Sequence, residues 1–318
     1  MIEIITRTAG IDTGKDRLDV AIHDGGDPFT VENTPAGWQR LAAWLGDADV
    51  QRVGIEASGS YERGVARHLQ GAGFAVVVLQ PLQVRAFARL HLRRAKSDRI
   101  DALLIAACTH VLDPQATKVA DPRLDALSDQ LTFIEQVEAD IARLKTRLEH
   151  IRDPRLRDIV TADIEHLRAR RADELRRLIA ALRSHADLAL RFALVLSVPG
   201  IGERTALALV LRMPELGAVS REQAAALAGL APFVQQSGRW EGERHIAGGR
   251  SRLRRSLYAA ALPAAFRWNT ALKALYQRLV DRGKPHQVAL VACARKLLVF
   301  ANTVVARGTP WSEKPIAA

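Results

Sequence analysis

Cysteine is nearly absent from this 318-residue chain: Cys108 and Cys293 are the only two, each inside an apolar helical pattern. Two such residues build no disulfide framework, and packed thiols suit a reducing cytoplasm. The nine histidines show no metal-ligand spacing, which argues against a zinc site. No apolar run is expected to span a bilayer, and residues 1–12 lack the basic start and apolar stretch of a secretory signal. What remains is a cytoplasmic globular protein away from membranes. Its 48% hydrophobic content is enough for real cores, with room for two domains and a connecting element.

Acidic side chains are scarce in only one part. Residues 1–112 carry 13 basic and 13 acidic residues, residues 113–190 carry 14 and 15, and residues 191–318 carry 19 and 7. The whole excess of the +11 net charge therefore sits in the last segment. Basic charge concentrated in this way implies a polyanion partner, most simply nucleic acid.

The chain is organised around Gly10–Ile22, GIDTGKDRLDVAI, which reads as strand, tight turn, strand with Asp12 at the lip of the first. A carboxylate there is where RNase H-type nucleases keep the first ligand of a catalytic metal. The structural alternative is an Asx turn started by Asp12 with Thr13–Gly14. Further strand signals fall on Phe29–Glu32, Arg52–Ala57 and Phe74–Leu79, and helical spacing on Thr34–Leu45, Tyr61–Gln70 and the segment opened by Pro81. A hairpin-rich start followed by strand–helix units predicts an RNase H-like α/β domain. Glu56 ends a strand as Asp12 does, and Asp98 and Asp101 stand three apart at the start of a helix. That spacing puts both carboxylates on one helix face, about 5–6 Å apart at Cβ. Capping by Ser97 and the helix dipole explain Asp98 without chemistry, but not the deeper Asp101. Four clustered carboxylates repel by about 4 kcal/mol per close pair at an effective dielectric near 20. Divalent cations with a taste for hard oxygen ligands, magnesium or manganese, would neutralise them.

From about Leu124 long helices take over. Ile134, Val137, Ile141, Leu144, Leu148 and Ile151 follow a coiled-coil seam; Pro154 interrupts it, and Val160, Ile164, Leu167, Leu175, Leu178 and Leu182 restart it, with Arg171 as a departure. An antiparallel hairpin bent at Pro154 is predicted, its arms roughly 40 Å long, and the spacing leaves open whether the seam packs within one chain or between chains. Val195–Leu211 contains Pro-Gly-Ile-Gly between two helices, a helix-hairpin-helix-like element whose glycines would let backbone amides approach phosphate, supported by Arg204. A plain helix connection is the bland reading. Next comes QQSGR, Gln235–Arg239, then a basic run through Arg244, Arg250, Arg252, Arg254 and Arg255 into the helix Leu257–Phe266. A lone Ser-Gly is usually a turn. Arginines crowding Ser237, with no histidine base beside it, suit phosphate rather than acyl transfer.

In this order, GIDTGKDRLDV, GIEASGSYE, KSDRIDA, VPGIGERTA, QQSGR and RSRLRRSLYAAA resemble the insertion-sequence one-ten (Piv/MooV-type) family of transposases and DNA invertases, also called bridge recombinases. The resemblance covers nearly the whole chain. It implies a RuvC-like metal-binding catalytic domain over residues 1–115, a helical coiled-coil linker over 116–190, and a mostly α transposase domain over 191–318. It places an Asp-Glu-Asp-Asp tetrad on Asp12, Glu56, Asp98 and Asp101 and a nucleophilic serine on Ser237. The implied partners are donor and target double-stranded DNA, a structured noncoding guide (bridge) RNA, and further copies of the chain as a dimer or tetramer, in a bacterial cytoplasm beside the nucleoid. Two features depart from the family: Ala247–Gly248 stands where many relatives have Ser-Lys, which would pass a basic role to Arg244 or Arg250, and Met1–Thr8 has no counterpart. Two other functions stay open, a RuvC-like hydrolase in which the tetrad activates water, and a non-catalytic nucleic-acid-binding protein.

Overall fold

The computed structural model describes residues 7–91, 98–117, 121–233, 236–237, 240–241 and 245–312, and for residues 98, 99, 236, 237, 240 and 241 the backbone alone. Two compact units divide the chain, Met1–Ala120 and Asp121–Ala318.

The first unit is built on a five-stranded mixed sheet. Strands β1 (Thr8–Thr13), β2 (Arg17–Ile22) and β3 (Gly25–Glu32) form an antiparallel meander. Thr34 then caps α1 (Pro35–Asp47) by accepting from the Gly37 N–H at 3.2 Å, with Pro35 in the first helical turn. Next come β4 (Arg52–Glu56), α2 (Glu62–Gly71), β5 (Ala75–Leu79), α3 (Pro81–Leu90) and α4 (Asp98–Leu112). β4 runs parallel to β1 and β5 parallel to β4, so the order across the sheet is β3-β2-β1-β4-β5. Strand alternation sends Ile11, Leu18, Val20 and Ile55 to the side of α1 and α2, where they meet Leu41, Leu45, Val65 and Leu69. On the opposite side Val77 and Leu79 pack with Val84, Phe87, Leu104, Ile105 and Cys108 from α3 and α4. The expected strand–helix order is present, with β3 longer than the run Phe29–Glu32.

The second unit opens with a helical hairpin, α5 (Pro122–His150) and α6 (Pro154–Arg183). Pro154 sits in the first turn of α6, where a missing N–H costs nothing, and Asp153 caps that helix by accepting from the Leu156 N–H at 3.2 Å. The seam packs within the chain, antiparallel: Val137 and Ile141 share a small cluster with Val160 and Ile164. Nearer the base, Leu131 and Ile134 join Leu178 and Leu182 in the main core. Arg171, the break in the seam, lies close enough to Glu138 of α5 to favour that carboxylate's charge.

Helices α7 (Ala186–Leu196), α8 (Glu203–Arg212) and α9 (Arg221–Leu227) follow the hairpin. Four two-residue strands come next, β6 (Pro232–Phe233), β7 (Gln236–Ser237), β8 (Trp240–Glu241) and β9 (His245–Ile246). The chain ends in α10 (Ser251–Pro263), a π-helical turn Ala264–Trp268, α11 (Thr270–Asp281) and α12 (His286–Arg307). By length and composition α12 is apolar enough to cross a membrane, contrary to the expectation that no run would be. The reason lies in its packing: Leu290, Cys293, Ala294, Leu297, Leu298 and Ala301 are fully buried, making it the central helix of this core. Cys108 and Cys293 are both buried thiols, as their helical context implies. Burial pushes the Cys293 thiol up to about 11.

Candidate active site and basic surface

Strand parity decides which face each acid occupies. Ala9 and Ile11 point into the core under α1 and α2, so Gly10 and Asp12 face α4. Val53 and Ile55 do the same in β4, which turns Gly54 and Glu56 toward α4 as well. The glycines are there because the helix lies directly on them. A side-chain carbon at Gly10 would stand 2.2 Å from the Ala106 nitrogen, and one at Gly54 would stand 1.8 Å from Thr109 Oγ1. Ile11 and Ile55 are in register on parallel neighbours, so Asp12 and Glu56 are the next step along adjacent strands.

The direction of α4 follows from its contacts. His110, near its end, stacks on His23 at 4.3 Å, and the His23 N–H donates to the Thr8 carbonyl at the start of β1. Ala102 and Ala106 cover Gly10. The helix therefore runs antiparallel to β1, and its first turn, Asp98 to Asp101, lies toward the end of the strand where Asp12 sits. Asp12, Glu56 and Asp101 are each half-buried. The side chain of Asp98 and the expected cap Ser97 lie outside the described residues. Among the described residues no three carboxylate, histidine or cysteine side chains form a ready-made metal group. The carboxylates of Asp12 and Glu56 at one edge of the sheet face, with Asp101 on the helix above it, are a donor chemistry that fits a hard divalent ion.

Asp12 lies within β1. It is in register with Asp19, and the turn is closed further on by the Gly14 N–H donating to the Arg17 carbonyl at 2.9 Å. Asp19 was not singled out from the sequence, yet it lies directly across from Asp12 on the same face. Its carboxylate accepts from Arg17 at 3.0 Å and from Thr30 at 2.8 Å. The signal was available: a charged residue on the alternate face of β2, between Leu18 and Val20.

Ser237 belongs to the second unit, near the tip of a nested pair of hairpins. β6 pairs antiparallel with β9, and inside them β7 pairs with β8, Ser237 facing Trp240 in register. Only the backbone of Ser237 is described, and Arg239 and Arg244 lie outside the described residues. The Ala247–Gly248 departure has a backbone use: Gly248 has φ +64°, and its carbonyl accepts from Arg254 at 2.6 Å.

Arg250 and Arg252 of the basic run are engaged within the unit. Arg250 makes a two-pronged contact with Glu215, at 2.9 and 2.6 Å. Burial pushes the Glu215 carboxyl up, but the Arg250 hydrogen bond, with a backbone bond and the nearby charges of Arg250 and Arg191, outweighs it and holds the group below the usual range. Arg252 donates to Glu135 at 2.9 Å, and Arg204 pairs with Glu138. Arg255 is exposed on α10. In the Pro-Gly-Ile-Gly turn the two glycines differ. Gly200, at φ +95°, is pressed against Ala264, where an added carbon would stand 2.3 Å from its Cβ. Gly202 precedes α8 with open space around it.

Comparison with known proteins bears on both units. Residues 9–153 match the DEDD-type IS110 family model described as a transposase, and residues 192–277 match the model described as transposase, IS116/IS110/IS902 family. The chain is 24% identical to the pilin gene-inverting protein of Moraxella bovis over 314 residues, which is 96% of this chain and 97% of that one. The protein of the same name from Moraxella lacunata is equally similar over the same span. A 43.6 kDa protein of insertion element IS110 from Streptomyces coelicolor is 29% identical over 203 residues, 63% of this chain and 47% of that one. Matched in order by two models of one family and along nearly its full length by the Moraxella relatives, the chain belongs to the IS110 family of transposases and is a DNA recombinase.

Proposed function

We propose that the chain cuts and rejoins DNA of a mobile element through a covalent phosphoserine intermediate. In this reading Asp12, Glu56, Asp98 and Asp101 hold magnesium or manganese, and Ser237 is the nucleophile. One observation carries it: adjacent parallel strands carry Asp12 and Glu56 at matching steps near their ends, on the face covered by α4, and the helix begins toward that edge with Asp98 and Asp101. The strand order β3-β2-β1-β4-β5, antiparallel then parallel, supports an RNase H-like, RuvC-like fold for the first unit. The hairpin α5–α6 fits a coiled-coil connection, and the division proposed is 1–115, 116–190 and 191–318, the last two sharing one compact unit. The name of the Moraxella relatives, gene-inverting proteins, supports rejoining as well as cutting.

When bound, a divalent ion would neutralise charge at the scissile phosphate. The chain's own residues supply the rest. Ser237 Oγ attacks phosphorus, the Oγ–P bond forms, the bond from phosphorus to the departing sugar oxygen breaks, and that oxygen leaves as a hydroxyl. The strand stays on the protein as a phosphodiester, and attack by a second strand's hydroxyl reverses the step with a new partner. Arg204, Arg239, Arg244, Arg250, Arg252, Arg254 and Arg255 would position the backbone through phosphate contacts. A guide RNA and a multimer of the chain come from the family resemblance.

The test uses a nicked suicide substrate in magnesium. Wild-type protein should form a covalent protein–DNA adduct, and Ser237→Ala should form none. Asp12→Asn should lose cleavage while still binding DNA. Full strand cleavage by Ser237→Ala would put a water-activating hydrolase in its place, and wild-type cleavage by Asp12→Asn would end the metal-site reading.

A further inference from the structure

Carboxylates and guanidiniums alternate around an open cleft of about 440 Å³ in the second unit, walled by α5, α8 and α10. Glu135 and Glu138 line it from α5, Arg204 from α8, and Arg252, Arg255 and Ser256 from α10. Arg212, at 11% side-chain exposure, donates to Glu135 Oε2 at 2.9 Å, and Arg252 donates to the same oxygen at 2.9 Å. Arg204 is paired with Glu138. Arg255 is exposed at the rim and has no carboxylate partner among the described residues. Four cations face two carboxylates, so the cleft keeps an excess of positive charge.

The pairing is also incomplete on the acidic side. Glu138 Oε1 is buried with no hydrogen-bond partner. Burial pushes the Glu138 carboxyl up despite the nearby charges of Arg204 and Arg171. A carboxylate whose second oxygen is idle satisfies a guanidinium fork poorly. A phosphate offers more oxygens and a better geometric match to several forks at once.

The geometry points to this cleft as a docking site for a nucleic-acid backbone phosphate, in which Glu135 and Glu138 are internal placeholders displaced when the phosphate enters. The inference rests on the proposed nucleic-acid role of the basic segment and goes beyond it, because it makes two acids on the helical hairpin competitors of the ligand. The placeholders hold Arg204 and Arg252 extended into the cleft, so the cations need little reordering on binding.

The sign of one substitution separates this from a purely organising role. Binding of full-length protein to a fluorescent mixed-sequence DNA duplex, and in a second arm to an RNA hairpin, is measured across a series of salt concentrations. Glu135→Gln and Glu138→Gln should each bind at least one probe about three- to tenfold more tightly, the scale of one net hydrogen bond exchanged. Arg255→Ala should weaken binding to that probe and reduce the salt slope by about one. Arg255 is exposed, so its removal leaves the buried pairs intact, and thermal midpoints check the folding of each variant. Weaker or unchanged binding by folded Glu→Gln proteins, or an unaltered Arg255→Ala, overturns the placeholder site while salt-dependent wild-type binding keeps the broader reading. Absence of any salt-dependent wild-type binding would remove both.

Discussion

At the scale of single residues, what was legible in the sequence was the acid at a strand end; what was not was its company. Asp12 and Glu56 stand out because each closes an apolar run. Gly10 and Gly54 carry no such signal, because the atoms that forbid a side chain there belong to a helix far along the chain. The arginines tell the same story: Arg204 finds Glu138 66 residues away and Arg252 finds Glu135 117 away, so a basic run read locally looked free for DNA. Arg250 and Glu215 give a pH prediction. The folded-state carboxyl of Glu215 is held below its ordinary value, so its stabilisation is present above the unfolded-state pKa and is lost as pH falls through the folded one. Both side chains are more than a third exposed, so the effect is at most about 1 kcal/mol. The thermal midpoint of Glu215→Gln should lie below that of wild type at neutral pH, and the gap should close in acid. A gap that persists unchanged below the carboxylate range would assign the role of Glu215 to shape rather than charge.

Periodic elements were easiest to read. The seam of α5 and α6 was visible because its apolar positions repeat, and Arg171 was the one break whose reason, Glu138 on the facing helix, lay outside the repeat. At α12 the expectation from the sequence missed a helix long and apolar enough to cross a membrane, one whose apolar residues pack in the main core. The hairpin also divides energetically in a way spacing does not reveal. Its base is part of the main core, whereas Val137, Ile141, Val160 and Ile164 form a cluster of their own. Ile141→Ala, at a position 6% exposed, removes three buried carbons from that small cluster and should cost about 2–4 kcal/mol. The loss should stay local. Hydrogen exchange should accelerate across residues 137–164 while the amides of α12 keep their protection. Equal loss of protection in α12 would mean that the hairpin and the main core unfold as one.

For the whole molecule, the decisive fact is that the acids and the serine belong to different compact units. Strand exchange, as proposed, holds two cleaved duplexes together, and the multimer proposed for the chain would supply one copy to each. The apolar seam of the hairpin packs within one chain, with Leu144, Leu148, Ile151 and Leu167 only partly buried along it. A composite site follows naturally from the proposed chemistry: the four acids of one protomer would face Ser237 of its partner. Mixing two defective proteins tests it. Asp12→Asn lacks a working metal site and Ser237→Ala lacks the nucleophile, so each alone forms no adduct. In mixed assemblies a composite arrangement brings the intact acids of the serine variant to the intact serine of the acid variant, and covalent adduct should reappear on a single-site substrate. The adduct should be attached to the Asp12→Asn chain, which a size tag on one protein would reveal. A site completed within one chain leaves every chain with one defect, and verified mixed assemblies would then give no adduct.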